Sequence, residues 1–468
     1  MRVLAYWKGI TSEMKPVIHT FGGGVNTYLT PFEIQDGELT DCLNVCADDY
    51  PAIRTRNDRV LKDTIGTPHA IGKRNNTDLH VASSNTWKYS TAGSTNFTDL
   101  TTTLASTGAR IGEFVTGTAR YSILMNGTQA KYWDGTSTAL NMDSTGIVYS
   151  KLFTVHKGHI FILKDNYAKF SALNLPNDWT AVGDVGSGTI IITNAVGIGA
   201  AITTFNDHVI MWCTNSMHEL YGSDPVNYEL KDVTNDVGCC SDRTVQEVKG
   251  KLFWMDYTGV YMYTGGLPRK VSDKVKKWID GINIAYAHLC CAGVKDEKYY
   301  LSIPYKSTTN NTVLVYDTRN DIWTIEDGTF IDFENISDTL YGLASSGTID
   351  NMCSTGITGL DNSTAITYKF VTKAYNDGAV ANKKSLARMY LTAEGTTTAT
   401  IAVGYSTNIN STTITPLTTS VTMSTEPTLT KTYIPTSALY DVNWYKLQVN
   451  GTGHAKIHNI QKDIRVRR

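Results

Sequence analysis

The chain has 468 residues, 42 basic against 44 acidic side chains and a formal charge of −2. A composition of 41 % hydrophobic and 18 % charged residues, with 26 Tyr, 12 Phe and 9 Trp, excludes a disordered chain and a coiled coil. At roughly 100 to 200 residues per domain, the length predicts two or three domains.

Residues 1–65 read as an extended arm lying over something else, because GGGVNTYLTPFEIQDGELTDCLNV offers three successive glycines and short extended pieces. The opening MRVLAYWKGITSEMK has neither the apolar stretch nor the small-residue cleavage site of a signal peptide. No apolar run approaches the roughly 20 residues that cross a bilayer. Folding in a reducing cytoplasm without membrane insertion is the expectation.

From residue 66 to 361 the chain repeats itself. Short alternating strands, each broken by an Asn, Asp, Ser, Thr or Gly turn, are followed by a second strand rich in Tyr or Trp. They run Leu79 to Ser90, Tyr121 to Gly135, His159 to Leu173, His208 to Gly222, Lys251 to Gly265, Lys298 to Ile325 and Thr339 to Met352. The turns of these seven hairpins are spaced about 44 residues apart. That period, with four short strands per unit, predicts propeller blades. A lone hairpin is marginal in water, whereas blades packed in a ring bury both faces and leave few open edges. The spacing leaves six or seven blades open, and a stacked sandwich or β-solenoid is the competing reading.

One helix is predicted in PRKVSDKVKKWIDGINIAYAH, with Val271, Val275, Trp278, Ile279 and Ile282 at helical spacing and Ser272 as a possible N-cap. The stripe either packs on the adjacent blade or docks a partner. Beyond it, residues 362–468 carry no repeat. Sixteen of the 42 residues from Leu391 to Thr432 are threonine, and strand pairs frame the region, so a separate β-sandwich is predicted. Its end intersperses Ile457, Ile460, Ile464 and Val466 with polar residues and closes on the basic tip Arg465, Arg467 and Arg468, candidate partner contacts.

Catalytic and cofactor motifs are missing. There is no GxSxG elbow, no HExxH, no Walker lysine followed by Ser or Thr, and no matched pair of carboxylates in successive blades. The histidines near the blades, His156, His159, His208 and His218, sit singly. The eight cysteines include Cys42 and Cys46 and the pairs Cys239/Cys240 and Cys290/Cys291. A zinc site would need these to converge, and buried free thiols are the simpler expectation. No enzyme activity, cofactor or metal is therefore expected.

Charge is unevenly spread. From Ile366 to Arg468 there are 12 basic and 5 acidic residues, which leaves a surplus of about nine negative charges on the rest. A long acidic portion argues against a protein that grips nucleic acid by its phosphates. It is compatible with one that lets nucleic acid slide past.

Three stretches carry a family resemblance: GGGVNTYLTPFEIQDGELTDCLNVCADDYPAIRTRNDRV, then LFWMDYTGVYMYTGG with YYLSIP and LVYDTRNDIWT, and WYKLQVNGTGHAKIHNIQKDIRVR at the end. They look like the tail hub, or nozzle, proteins of short-tailed bacteriophages. The resemblance implies a β-propeller subunit of the virion tail, made in the host bacterial cytoplasm and assembled typically as a hexamer beneath the portal-adaptor ring. Such a hub prolongs the DNA ejection channel and carries fibres, spikes or a plug. No gate loop matches residue by residue, so no gating residue is carried over. On this reading rigid propellers form a pressure-bearing wall, an acidic lumen repels passing DNA, and the arm ties subunits together.

Two other functions compete with it. A receptor- or carbohydrate-binding propeller would use Trp87, Trp133, Trp179, Trp212, Trp254 and Trp323 as a stacking platform, although blade packing explains them more simply. A glycoside hydrolase is disfavoured by the missing carboxylate pattern.

Overall fold

The computed structural model describes residues 14–466 apart from 92–93, 95, 106–107, 143–144, 379–381 and 426. Arg467 and Arg468, and most of the opening segment read for a signal peptide, lie outside the described residues. Two compact units are present. One comprises Arg59–Asp321 with Glu326–Ser354; the other takes the chain up to Asp58, Ile322–Ile325 and the chain from Thr355 on.

The first unit is a seven-bladed β-propeller. Each predicted hairpin supplies the two middle strands of a four-stranded antiparallel sheet, from Asp78–Ser83 with Thr86–Ser90 in blade 1 to Thr339–Ala344 with Thr348–Asn351 in blade 7. The first strands are Pro68–Arg74, Arg110–Val115, Phe153–His156, Gly199–Phe205, Gln246–Val248, Cys291–Lys295 and Phe330–Ile336. Apolar clusters lie between successive blades. Trp87 and Leu100 of blade 1 meet Leu124 and Trp133 of blade 2, and Phe161 and Leu163 of blade 3 meet Val209 and Met211 of blade 4. Because middle strands are covered on both faces, they lose alternation: all six residues of His208–Cys213 are buried, as are those of Lys298–Ile303.

The ring closes. Ile336, Leu343 and Ile349 of blade 7 share a core with Ile71, Leu79 and Val81 of blade 1. The outer strand of blade 7 is Val60–Thr64, from the start of the propeller, antiparallel to Thr348–Asn351 with Thr64 opposite Thr348 and Val60 opposite Asn351. Just before it, Arg59 pairs with Glu326 at 2.8 Å and Asp327 at 3.0 Å, and its guanidinium lies 5.1 Å from the Phe330 ring.

Two local devices shape the blades. In blades 4, 6 and 7 the first and second strands are joined by two-residue turns with positive φ, Asn206-Asp207, Asp296-Glu297 and Ser337-Asp338. The backbone twist of such turns matches that of the flanking strands. Near the axis, where blades converge, glycine makes room: a Cβ on Gly72 would come within 2.6 Å of Ile111 on the next blade, and one on Gly112 within 2.8 Å of Phe153.

The second unit is a β-sandwich. One sheet runs Val45–Cys46, Ile53–Thr55, Ala455–Val466, Lys384–Gly395, Thr430–Ile434, with Met14–His19 also paired to Ala455–Val466. The other runs Leu39–Leu43, Thr367–Thr372, Lys446–Thr452, Thr400–Ser406, Thr415–Thr422. A register shift opposite Thr392 and Ala393 lets both Ile457 and Ile460, three apart, point inward at 1 % exposure. Alternation then resumes through Lys462 to Ile464, so a lysine occupies a core position.

These boundaries correct those expected. The arm of residues 1–65 is not a separate layer: its described part provides strands to both sandwich sheets, and Val60–Thr64 provides the closing strand. A short strand has little apolar area of its own, so it gains order only by completing a sheet. The helix is also shorter than expected. It consists of a 3-10 turn Asp273–Val275, one α turn Lys276–Ile279 and a second 3-10 stretch Ile284–Leu289. Between the last two, the backbone at Gly281 passes close enough to Tyr305 that a Cβ there would lie 2.2 Å from its ring. Ser272 does not cap; its Oγ accepts the Val260 N–H at 3.0 Å.

Candidate functional site

The first strands touch one another around the ring, blade 7 to blade 1 included, except that the 3-10 turn Asp242–Thr244 meets the first strand of blade 4 ahead of that of blade 5, and they therefore line the axis. Each contributes few residues to it, so the axial side chains come from scattered places in the chain. Arg110 opens the first strand of blade 2, Lys151 precedes that of blade 3, Asp242 and Arg243 precede that of blade 5, and Asp332 and Glu334 lie in that of blade 7.

Arg110 reaches across the axis to form a bidentate pair with Asp242. Arg243 donates to the carbonyls of Ile331 at 2.6 Å, His69 at 2.7 Å and Ala109 at 3.0 Å, joining blade 5 to blades 7, 1 and 2. Asp332 stands 3.8 Å from Arg243 and accepts the Ile71 N–H at 3.2 Å. The result is a layer of charged groups tied to one another and to the backbone of four blades around the axis. Cavities of about 310 Å³ and about 230 Å³ both have Arg110, Lys151 and Arg243 in their walls. The larger also exposes Glu113, Asp242, Asp332 and Glu334.

The layer shifts its own titrations. Burial alone would raise Asp242, but Arg110 foremost, with Lys151 and Arg243, holds its carboxyl below the usual range. Burial lowers the Lys151 amine; Asp242 opposes that effect while Arg110 and Arg243 add to it. Burial raises Glu334 against the pull of Lys73, 3.1 Å away.

Blade 4 holds a second arrangement with chemical connotations. Ser216 Oγ lies 2.9 Å from His218 Nε2, and His218 Nδ1 lies 2.8 Å from Asp232 Oδ1. The order resembles a nucleophilic triad, but Ser216 and His218 are fully buried. Ser216 Oγ also accepts the Val196 N–H at 3.0 Å, and Asn194 donates to Asp232. A hydroxyl held this way cannot meet a substrate; the network clamps the loop that enters the blade.

The residues proposed from sequence are placed as follows. Val271, Val275, Trp278, Ile279 and Ile282 are between 0 and 9 % exposed, so the stripe is covered by its own chain and is not a free docking face. Arg465 is exposed, on a strand paired with Met14–His19 on one side and Lys384–Gly395 on the other. The six tryptophans suggested as a stacking platform are all 4 % exposed or less, which corrects that suggestion: their faces are taken up by packing. His156, His159, His208 and His218 are buried. Seven of the eight thiols are buried and all are unbridged; no cluster suited to a metal occurs among the described residues. The axial charges were not anticipated, since six residues from four blades have no common motif. Their one shared signal is position, at or just before a first strand.

No family model matches the chain, and no curated protein does. Solved structures of low identity are similar over about two thirds of it. They include the extracellular domain of a one-component system from B. thetaiotaomicron, with a TM-score of 0.46 and 6 % identity over 64 % of this chain and 40 % of that one. A streptogramin B lyase has a TM-score of 0.43 and 9 % identity over 61 % and 93 %. Virginiamycin B lyase from Staphylococcus aureus has a TM-score of 0.43 and 10 % identity over 63 % and 98 %. The chain thus spans under half the length of the first of these.

Proposed function

We propose that the protein is a structural subunit of a phage tail hub, forming part of a ring beneath the portal-adaptor proteins, prolonging the DNA ejection channel and carrying fibres, spikes or a plug. The observation that carries this reading is where the resembling phrases fall. The opening phrase supplies strands of the sandwich, the middle ones are blade strands, and the last one supplies the central strand of each sandwich sheet. The similarity to tail hub proteins thus lies in the residues that build the scaffold. Further support comes from the axial layer, whose arginines are engaged with carboxylates and carbonyls, and from the burial of Ser216 and His218. Both fit a mechanical role without catalysis. The buried tryptophans weigh against the carbohydrate-binding alternative.

Negative-stain imaging of the purified protein and of virions tests the proposal. A hollow ring from the protein, with matching density at the portal vertex, is the expected result. A protein that sediments as a monomer at all concentrations and is absent from purified particles by mass spectrometry overturns it.

A further inference from the structure

The smaller axial cavity, of about 230 Å³, has an unbalanced wall. Arg110, Lys151 and Arg243 line it with His69 and His288, and no carboxylate does so among the described residues. Asp242, the acid nearest in charge to this group, is held by both arms of Arg110. Arg243 is committed to three carbonyls. Lys151 is half-buried and makes no hydrogen bond to the described residues; Arg110 and Arg243 are like-charged neighbours, and the one carboxylate that offsets them, Asp242, is already engaged by Arg110. A charge withdrawn from water in this way is costly unless a counterion joins it.

A second sign comes from Asn310 in the same wall, 2 % exposed. Its Nδ2 donates to the carbonyls of Leu289 and Phe330, at 2.8 Å each, which fixes the orientation of the amide. Its Oδ1 is left buried with no donor among the described residues. An orphaned acceptor calls for a donor, which the hydroxyl of a protonated phosphate offers and a carboxylate does not. Lys151 also borders a third cavity, of about 440 Å³, beside Asn126 and Asp165, which offers a route of entry between blades 2 and 3.

We infer that this end of the axial channel binds a small oxyanion, a phosphate or carboxylate group, with Lys151 as its anchor and the two guanidiniums supplying field rather than primary hydrogen bonds. The site lies within one propeller and does not rest on the tail hub reading.

Calorimetric titration of the full chain at low ionic strength, where screening is weak, tests the inference, with inorganic phosphate and acetate as separate probes. One saturable site per chain for either probe is expected, and which probe binds tells phosphate from carboxylate. Lys151→Gln should weaken binding at least tenfold without lowering the ligand-free melting temperature, and Lys151→Arg should restore binding to within a few-fold. Absence of saturable binding by both probes, or equal binding by the Lys151→Gln variant, overturns it.

Discussion

His80 sits in blade 1 between Trp87, Tyr89 and Trp133, fully buried, with both ring nitrogens lacking a partner among the described residues. Burial, then the neighbouring Arg74, lowers it to about 3; in the sandwich, burial and then Lys462 lower His19 to about 4. Both remain neutral when folded at a pH where an unfolded histidine takes up a proton. The unfolded state therefore binds more protons below pH 6.5, and the stability present above that value is lost as the pH falls toward 4 and 3. At pH 5 each histidine should withdraw about 2 kcal/mol. Urea denaturation at pH 7 and pH 5 checks this: His80→Phe should reduce the difference between the two pH values by about that amount, whatever it does to packing at either one.

Lys462 is the other residue whose setting sets its behaviour. It is fully buried, 2.8 Å from Asp377 and 3.6 Å from the centre of the Tyr375 ring, donates to the Tyr445 hydroxyl at 2.6 Å, and is lowered to about 8 chiefly by burial. Lys462→Met would leave the Asp377 carboxylate, 1 % exposed, without its cation, at a cost of about 3–5 kcal/mol. Adding Asp377→Asn removes the orphaned charge and should recover most of that loss. Equilibrium unfolding of the single and double variants measures both steps; equal stability of the two would show that the pair is not the source of the effect.

Among the strands, Val60–Thr64 closes the ring of the propeller. Its side chains are mostly exposed or half-buried, so its contribution is the ladder it adds to blade 7, not apolar burial. Four residue pairs face one another across a register shift between Ile349 and Asp350, and at 0.2–1 kcal/mol per pair their loss should cost about 1–4 kcal/mol. Replacing Val60–Thr64 with a glycine-serine run of equal length should lower the unfolding free energy by that amount. Hydrogen exchange should show the loss of protection concentrated in Thr348–Asn351; uniform loss across all blades would contradict a local closing role.

The middle strands were legible because their signals are local: an Asn-Gly at Asn126 and Gly127, aromatic residues after the turn, and β-branched residues before it. That the N-terminal arm could supply closing strands was open from the blade count, but Val60–Thr64 itself was not legible, because its partner lies almost the whole propeller away and its own pattern is too weak to announce a strand. The helix was overread, since helical spacing of Val271 to Ile282 is also satisfied by one α turn set among 3-10 turns. Lys462 was hidden by the register shift at His458, which changes which residues face the core. The axial layer escaped for a related reason: each of its members is ordinary in its own stretch, and only the closed ring brings Arg110 opposite Asp242.

At the scale of the whole molecule, both units are completed by joining early chain to late chain: Val60–Thr64 to Thr348–Asn351 in the propeller, and Met14–His19 to Ala455–Val466 in the sandwich. The early strands must wait, unpaired, until most of the protein has been synthesised, and such long-range pairing slows folding.

The pairing of Met14–His19 with Ala455–Val466 has a mechanical corollary. Met14 stands opposite Arg465, and the strands are antiparallel, so tension drawn through these two residues would fall on one rung of the ladder at a time. Tugged from there, the sandwich would come apart like a zipper under little force, whereas a squeeze around the rim of the propeller would press its seven wedges together. A fold built this way withstands compression of its ring far better than tension applied at the ends of that strand pair.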